Sequence, residues 1–367
     1  MPRTSLRLAS QFMNLKKCWD TKTSSQPVGI STSTLTSCAR SSLMKQFKSF
    51  LAPQFERYIS YRQHLGYETQ NSWSHLLMFD CYLVELQMEQ GSFTPAFFLQ
   101  LRKRLPWQPS TINRVLSTLR VFFQYLVRQG DFKENPLKDI PPLKELHYLP
   151  FVFSPEQIDQ LLNAVYKRIR KNRAYYLKDV AIYLAVLLLA RCGLRISEPL
   201  KLLIGRYRPG ENTLYIEKTK FKKDRLIPIP KSVAVELDNY LKLRKTLLPG
   251  DHNPYFLAAG YHKGISTYQA SRAFHQAVKD IGLDQPRRNI ANVTFGSPTP
   301  HSLRHSFAIN TLKRIREQGK SIQNALQVLA VFMGHQKVEY TARYLTVLGT
   351  QHRQNLVRFT ISLQEEI

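Results

Sequence analysis

Residues 109–130 read PSTINRVLSTLRVFFQYLVRQG, where Val115, Leu119, Phe122 and Leu126 recur at helical spacing on one face. Ser110 is placed to cap this helix and Gly130 to stop it. The stretch predicts an amphipathic helix whose stripe must be buried against other helices, so residues 44–146 read as a helical domain. Arg114, Arg120 and Arg128 lie off the stripe, either as a surface for a polyanion or as ordinary solvated charge.

Downstream, ENPLKDIPPLKELHYLP (134–150) holds four prolines and no apolar period, which reads as an interdomain linker. A second domain is expected from Phe151 to about residue 350. It opens on FSPEQIDQLLNAV, with Ser154 as cap, Pro155 in the first turn and a helix to about Arg170. VAIYLAVLLLA (180–190) is apolar all round, as a buried core helix is, and is too short for the ~20 residues of a membrane span. NTLYIEKTKFKKDRLIPIP (212–230) alternates apolar and polar residues on both sides of a basic middle, the pattern of a strand, turn and strand. The fold class is mainly α, with an α+β second domain.

The 367 residues exceed the ~250–300 at which single cores stop growing, which fits two domains. Lys and Arg number 53 against 26 Asp and Glu, a net charge of +27, while 43% hydrophobic residues suffice for real cores. Such a folded polycation calls for a polyanion, because neutralising phosphates releases their counterions; nucleic acid is favoured over an anionic membrane. Cysteines 18, 38, 81 and 192 are scattered, so neither a disulfide framework nor a metal site is indicated and a reducing cytoplasm fits. Residues 1–43, rich in Ser and Thr, with Asp20 the one acid, read as a mobile basic tail loosely like an organellar transit peptide, without the apolar segment of a secretion signal.

Four short stretches of the second domain carry chemistry. ARCGLRISEPL sets Arg195 after the buried helix and before Glu198, with Ser197 as a possible cap. The hairpin middle holds Lys220, Lys222 and Lys223 ahead of Asp224 and Arg225. In SPTPHSLRHSF (297–307), Thr299 and Pro300 start a helix, so His301 and Arg304 share the face of a first turn whose free N–H groups attract anions. MGHQKVEYTARYL (333–345) offers His335 and two tyrosines four apart, Tyr340 and Tyr344.

Together these residues resemble the tyrosine recombinase, or phage integrase, family. Its set is an arginine in G-L-R-x-S-E, a hairpin lysine, H-x-x-R, a histidine in L-G-H and a tyrosine nine residues later. The matching residues are Arg195, Lys220, His301, Arg304, His335 and Tyr344, in the family's order. Met333 replaces the usual leucine, and the connection from Arg304 to His335 is long. The resemblance spans about residues 45–350 and implies a helical core-binding domain of SAM-like type followed by an integrase-type catalytic domain. It also implies cutting and rejoining of double-stranded DNA through a 3′-phosphotyrosyl link, without metal or cofactor, in integration, excision or transposition of a mobile element.

A phosphodiester needs fixed cations for the charge of its transition state, and two arginine forks, Arg195 and Arg304, suit that role. By the resemblance, Tyr344 is the nucleophile, His301 receives its proton, His335 holds the phosphate or assists transfer, and Lys220 protonates the 5′-oxygen. Glu198 orients this network, and Tyr340 packs or at most touches backbone phosphate. Arg114, Arg120, Lys222, Lys223 and Arg225 are the expected DNA contacts. Two protomers per site, four in the synapse, or sister recombinases, are the implied assembly, in a bacterial cytoplasm. The tail 351–367 docks on its own domain or on a neighbouring protomer. A relaxing topoisomerase and a silent DNA-binding regulator of a partner recombinase are the rival readings.

Overall fold

The computed structural model describes residues 46–88, 93–217, 224–290 and 293–345. The tails 1–43 and 351–367 lie outside the described residues, as do Lys220, Lys222 and Lys223. Two compact units divide between Glu145 and Leu146.

The first unit is helical: α1 (Ala52–His64), α2 (Gln70–Glu85), α3 (Pro95–Arg104) and α4 (Pro109–Gln129). On α4 the four stripe residues are fully buried, joined by Ile112, Leu116 and Phe123. They meet a cluster of rings in which Phe55, Phe79, Phe98 and Phe123 contact one another or Phe122 edge-on, tilted or stacked. Each such buried side chain contributes about 1.5–3 kcal/mol, so this core is set by apolar area. The cap is not Ser110: Gln108 takes that position because Pro109, lacking an N–H and fixed in φ, belongs in the first turn. Gly130 ends the helix in the left-handed region, as expected.

The stretch expected to be a linker is built into both units. Leu137 and Ile140 are buried in the first, and Asn113 exchanges hydrogen bonds with the Leu143 backbone at 2.8 and 2.9 Å. Residues His147–Leu149 form strand β1 of the second unit.

That unit continues with α5 (Pro155–Lys167), α6 (Arg173–Cys192), α7 (Ser197–Leu200), β2 (Tyr207–Arg208), β3 (Thr213–Ile216), β4 (Arg225–Pro228) and α8 (Lys231–Leu247). It closes with α9 (Thr267–Asp280), β5 (Arg288–Ile290), β6 (Val293–Phe295), α10 (Pro300–Glu317) and α11 (Ile322–Met333). Ser154 and Gln157 form a reciprocal cap on α5, which stops three residues short of the expected end. Helix α6 runs through the core and packs on α8 and α10. Its last residue is followed by Gly193 at φ +59, where an added Cβ would lie 2.4 Å from the Phe307 ring, so glycine alone fits.

The expected hairpin is present as antiparallel β3 and β4, with Leu214 opposite Ile227 in the core and β2 on the outer side. A second sheet, β1-β6-β5, was not foreseen; β1 runs parallel to β6 and β5 antiparallel. It ties the start of the unit to the segment that leads into α10. Among the described residues no helix is long and apolar enough to cross a membrane.

Candidate active site

The site is built where two helices end. The last carbonyls of a helix lack intrahelical donors and carry its negative dipole end. Gly193 follows α6, and its carbonyl accepts from Arg304 Nη1 at 2.7 Å. Gly334, at φ +65, follows α11, and three consecutive carbonyls there each take a different arginine. Phe332 accepts from Arg225 Nε at 2.9 Å, Met333 from Arg304 Nη2 at 2.5 Å and Gly334 from Arg195 Nη2 at 2.9 Å.

One carboxylate joins the same cluster. Glu198, on α7, accepts from Arg195 Nη1 at 2.9 Å and from Arg225 Nη1 and Nη2 at 3.1 and 2.8 Å. It also takes the Arg195 backbone N–H at 2.9 Å, so the turn is capped by Glu198 and not by Ser197. Burial opposes its ionisation, but the hydrogen bonds and charge of Arg225, the Arg195 N–H and Arg304 hold its carboxyl below the usual range. Three guanidinium charges thus face one carboxylate and two helix ends, each equivalent to about half an electron charge. About one positive charge is left over, which would balance the single negative charge of one phosphodiester.

Arg304 is 1% exposed, and burial, reinforced by Arg195, lowers its pKa to about 10, still cationic at neutral pH. It sits one turn after His301 on α10, whose start at Thr299 and Pro300 is as expected; Ser302 Oγ accepts the Thr299 N–H at 3.0 Å. His301 is exposed, and its ring stands edge-on to His305 at 4.5 Å. His335 Nδ1 pairs with Thr341 Oγ1 at 2.7 Å. Although the residue is exposed at the rim, loss of water around the His301 ring, then Arg304 and Arg195, lowers its pKa; burial first, with Arg304 and the neighbouring rings, brings His305 to about 3 and His335 to about 4. All three rings are neutral at pH 7 and can accept protons or hydrogen bonds.

Tyr344 lies in the helical residues 338–345 and is buried against Ile309, Leu312, Leu329 and Met333. Its hydroxyl is 3.2 Å from Nδ1 of His305. Burial pushes the phenol pKa up, while Arg304 and Arg195 pull it down. Tyr340, expected to pack or at most to touch backbone phosphate, is 41% exposed, with the Arg343 guanidinium 5.6 Å over its ring, so of the two roles it is packing that the structure does not give it.

Of the residues singled out, the fold brings together Arg195, Glu198, His301, Arg304, His335 and Tyr344. Two expected DNA contacts face inward. The Arg225 side chain is 8% exposed and committed to Glu198 and α11, and Arg120 donates to the carbonyls of Leu137 and Ile140 at 3.0 and 2.8 Å. Each supplies donors to carbonyls or a carboxylate that burial would otherwise leave unpaired. Arg114 is exposed, beside His75 on α2. His305 was overlooked; its place four residues after His301, on the same helical face, was the available signal.

A model described as the phage integrase family matches residues 152–350. The tyrosine recombinase XerD of Lacticaseibacillus casei is 27% identical over 308 residues, covering 82% of this chain and 95% of its own. The tyrosine recombinase XerC of Alcanivorax borkumensis is 30% identical over 243 residues, covering 66% of this chain and 70% of its own. Among solved structures, the Tn1549 transposon integrase in complex with a circular intermediate DNA is similar in fold, with TM-score 0.59, 18% identity, and coverage of 81% of this chain and 94% of that one.

Proposed function

This chain belongs to the phage integrase family of tyrosine recombinases, and from that premise we propose that it cuts and reseals DNA through a covalent bond between Tyr344 and the 3′-phosphate. It is a tyrosine-type site-specific recombinase, and its proposed setting is the integration, excision or transposition of a mobile element. The observation that carries the chemistry is the cluster of three arginines around one carboxylate and two helix ends, beside a buried tyrosine hydroxyl. A scissile phosphate there would receive the unused N–H groups of Arg195 and Arg304, and these donors hold more strongly as charge concentrates on its non-bridging oxygens.

Attack by Tyr344 displaces the 5′-oxygen, whose proton comes from Lys220 in this reading. The phosphotyrosine keeps the energy of the diester, so a 5′-hydroxyl from another strand reseals it without fuel. His301 and His335, from two separate motifs, hold the phosphate by hydrogen bonds in this reading. The Tn1549 transposon integrase was solved with circular intermediate DNA, which supports double-stranded DNA as the partner. Arg114 and the hairpin lysines 222 and 223 are proposed backbone contacts, and a dimer on each site, four protomers in synapsis, is the proposed assembly.

The test is a nicked duplex carrying the recombination site, incubated with the protein in EDTA and resolved on a denaturing gel with peptide mapping. The expected adduct maps to Tyr344, disappears in Tyr344→Phe and stays within about twofold in Tyr340→Phe. Salt-sensitive binding to that duplex without any adduct would instead identify a silent DNA-binding regulator.

A further inference from the structure

We propose that His305 takes the phenolic proton of Tyr344 as that oxygen attacks phosphorus. The proposal rests on the reading of Tyr344 as nucleophile and deepens it. The geometry is direct: His305 Nδ1 lies 3.2 Å from the Tyr344 hydroxyl, with ring centroids 5.5 Å apart. His301, the residue expected for this task from the H-x-x-R motif, is exposed and abuts His305.

In the step, the Tyr344 O–H bond breaks as its oxygen bonds to phosphorus, and the proton joins the lone pair on Nδ1. His305 therefore starts as the neutral tautomer protonated on Nε2 and ends as an imidazolium. The bond from phosphorus to the 5′-oxygen breaks, and that oxygen takes its proton from the general acid. Resealing runs the same transfers backwards and returns the proton to Tyr344.

The surroundings tie this transfer to bound DNA. His301 and Arg304 face His305 from its own helix, and His335 and Tyr344 face it from the chain that follows α11. With the pocket empty, burial first, and then His301 and the Arg304 cation, oppose a positive charge on His305. A phosphate seated on the arginines offsets that charge, so the base gains strength when a target is in place. The nucleophile is thereby kept protonated until there is something to attack.

The experiment uses the full chain, single-turnover adduct formation on the nicked duplex, and DNA affinity by mobility shift. His305→Asn keeps an oxygen near Nδ1 that can accept the tyrosine hydrogen bond but cannot hold its proton. Its adduct rate at pH 7 is expected to fall about a hundredfold with DNA affinity within about twofold, and to keep climbing with pH after the wild type has levelled. A 5′-phosphorothiolate at the scissile bond, whose sulfur leaves without an acid, is not expected to restore the variant. A wild-type rate in His305→Asn with a slow His305→Ala would reduce His305 to a positioning residue and overturn the proposal. Restoration by the phosphorothiolate would overturn it too, by moving His305 to the acid side. Tyr344→Phe, run beside these, separates the two readings: an adduct surviving there removes the nucleophile assignment itself.

Discussion

Arg244 and Arg304 are both sealed inside the second unit, 4% and 1% exposed, and they do opposite work. Arg244, on α8, meets Asp251 through Nε at 2.7 Å and the carbonyls of Asn253, Tyr255 and Phe256 at 2.7, 2.5 and 3.0 Å. One cation, one carboxylate and the carbonyls of one short loop make a closed account, so nothing further is attracted. Arg304 donates only to carbonyls at two helix ends and feels Glu198 through charge alone, because Arg195 and Arg225 take the hydrogen bonds of that carboxylate. Arg244 is thus fully matched by its own loop, whereas Arg304, on the proposed reading, is left short of an anion that a phosphate would supply.

The sharpest way to break this contrast is a pair of lysine substitutions. Arg304→Lys keeps a charge but loses the fork, and adduct formation is expected to fall about a thousandfold, equivalent to about 4 kcal/mol, with a modest change in unfolding midpoint. Arg244→Lys is expected to lower unfolding free energy by about 2–3 kcal/mol, since an ammonium cannot reach all four partners, while the folded fraction keeps its activity. Denaturant unfolding beside adduct rates checks both. Equal losses of activity in the two variants would erase the distinction.

A smaller effect tests the shared carboxylate. Glu198→Gln leaves the arginines with helix dipoles alone and is expected to cost about 2 kcal/mol of stability at pH 7, recovered in part by inorganic sulfate. The folded carboxyl lies below its unfolded value of about 4.3, so its contribution is complete above about pH 5 and drains as pH falls through the folded value. Wild-type and variant unfolding curves should therefore converge in acid. The least effect belongs to Gly334→Ala: the residue sits at φ +65, and a Cβ would come within 3.0 Å of Arg225 Nη1. About 1 kcal/mol of stability and a few-fold loss of cleavage are expected, read by the same two assays.

Much of this arrangement was legible in the chain, and the failures have physical reasons. The α4 stripe and the hairpin announce themselves because periodicity over many residues reports a buried face. The motif residues could be picked out because order and spacing along the chain survive folding. Strands β1, β5 and β6 could not, since three residues carry no period and β1 pairs with a strand near the far end of the unit. The inward partners of Arg225 and Arg120 were not legible, because a cation in a basic stretch looks the same whether it turns to solvent or to a carboxylate and backbone carbonyls. The Ser110 and Ser197 caps failed because Pro109 starts its helix ahead of Ser110, and because Glu198 takes the Arg195 N–H at the other start.

The hydrogen bonds that close the arginine pocket also have a meaning during synthesis. They join residues 139, 111 and 107 positions apart, and contacts that close such long loops form late. The carbonyls of residues 332–334 and the Tyr344 hydroxyl follow every arginine of the pocket along the chain. A ribosome-bound copy that has emerged only as far as α10 has its arginines and the Gly193 carbonyl, yet it has neither the three carbonyls after α11 nor the Tyr344 hydroxyl. Such a copy carries the cations of the pocket without most of the groups that aim them, so the pocket is completed only once residues 332–344 have emerged.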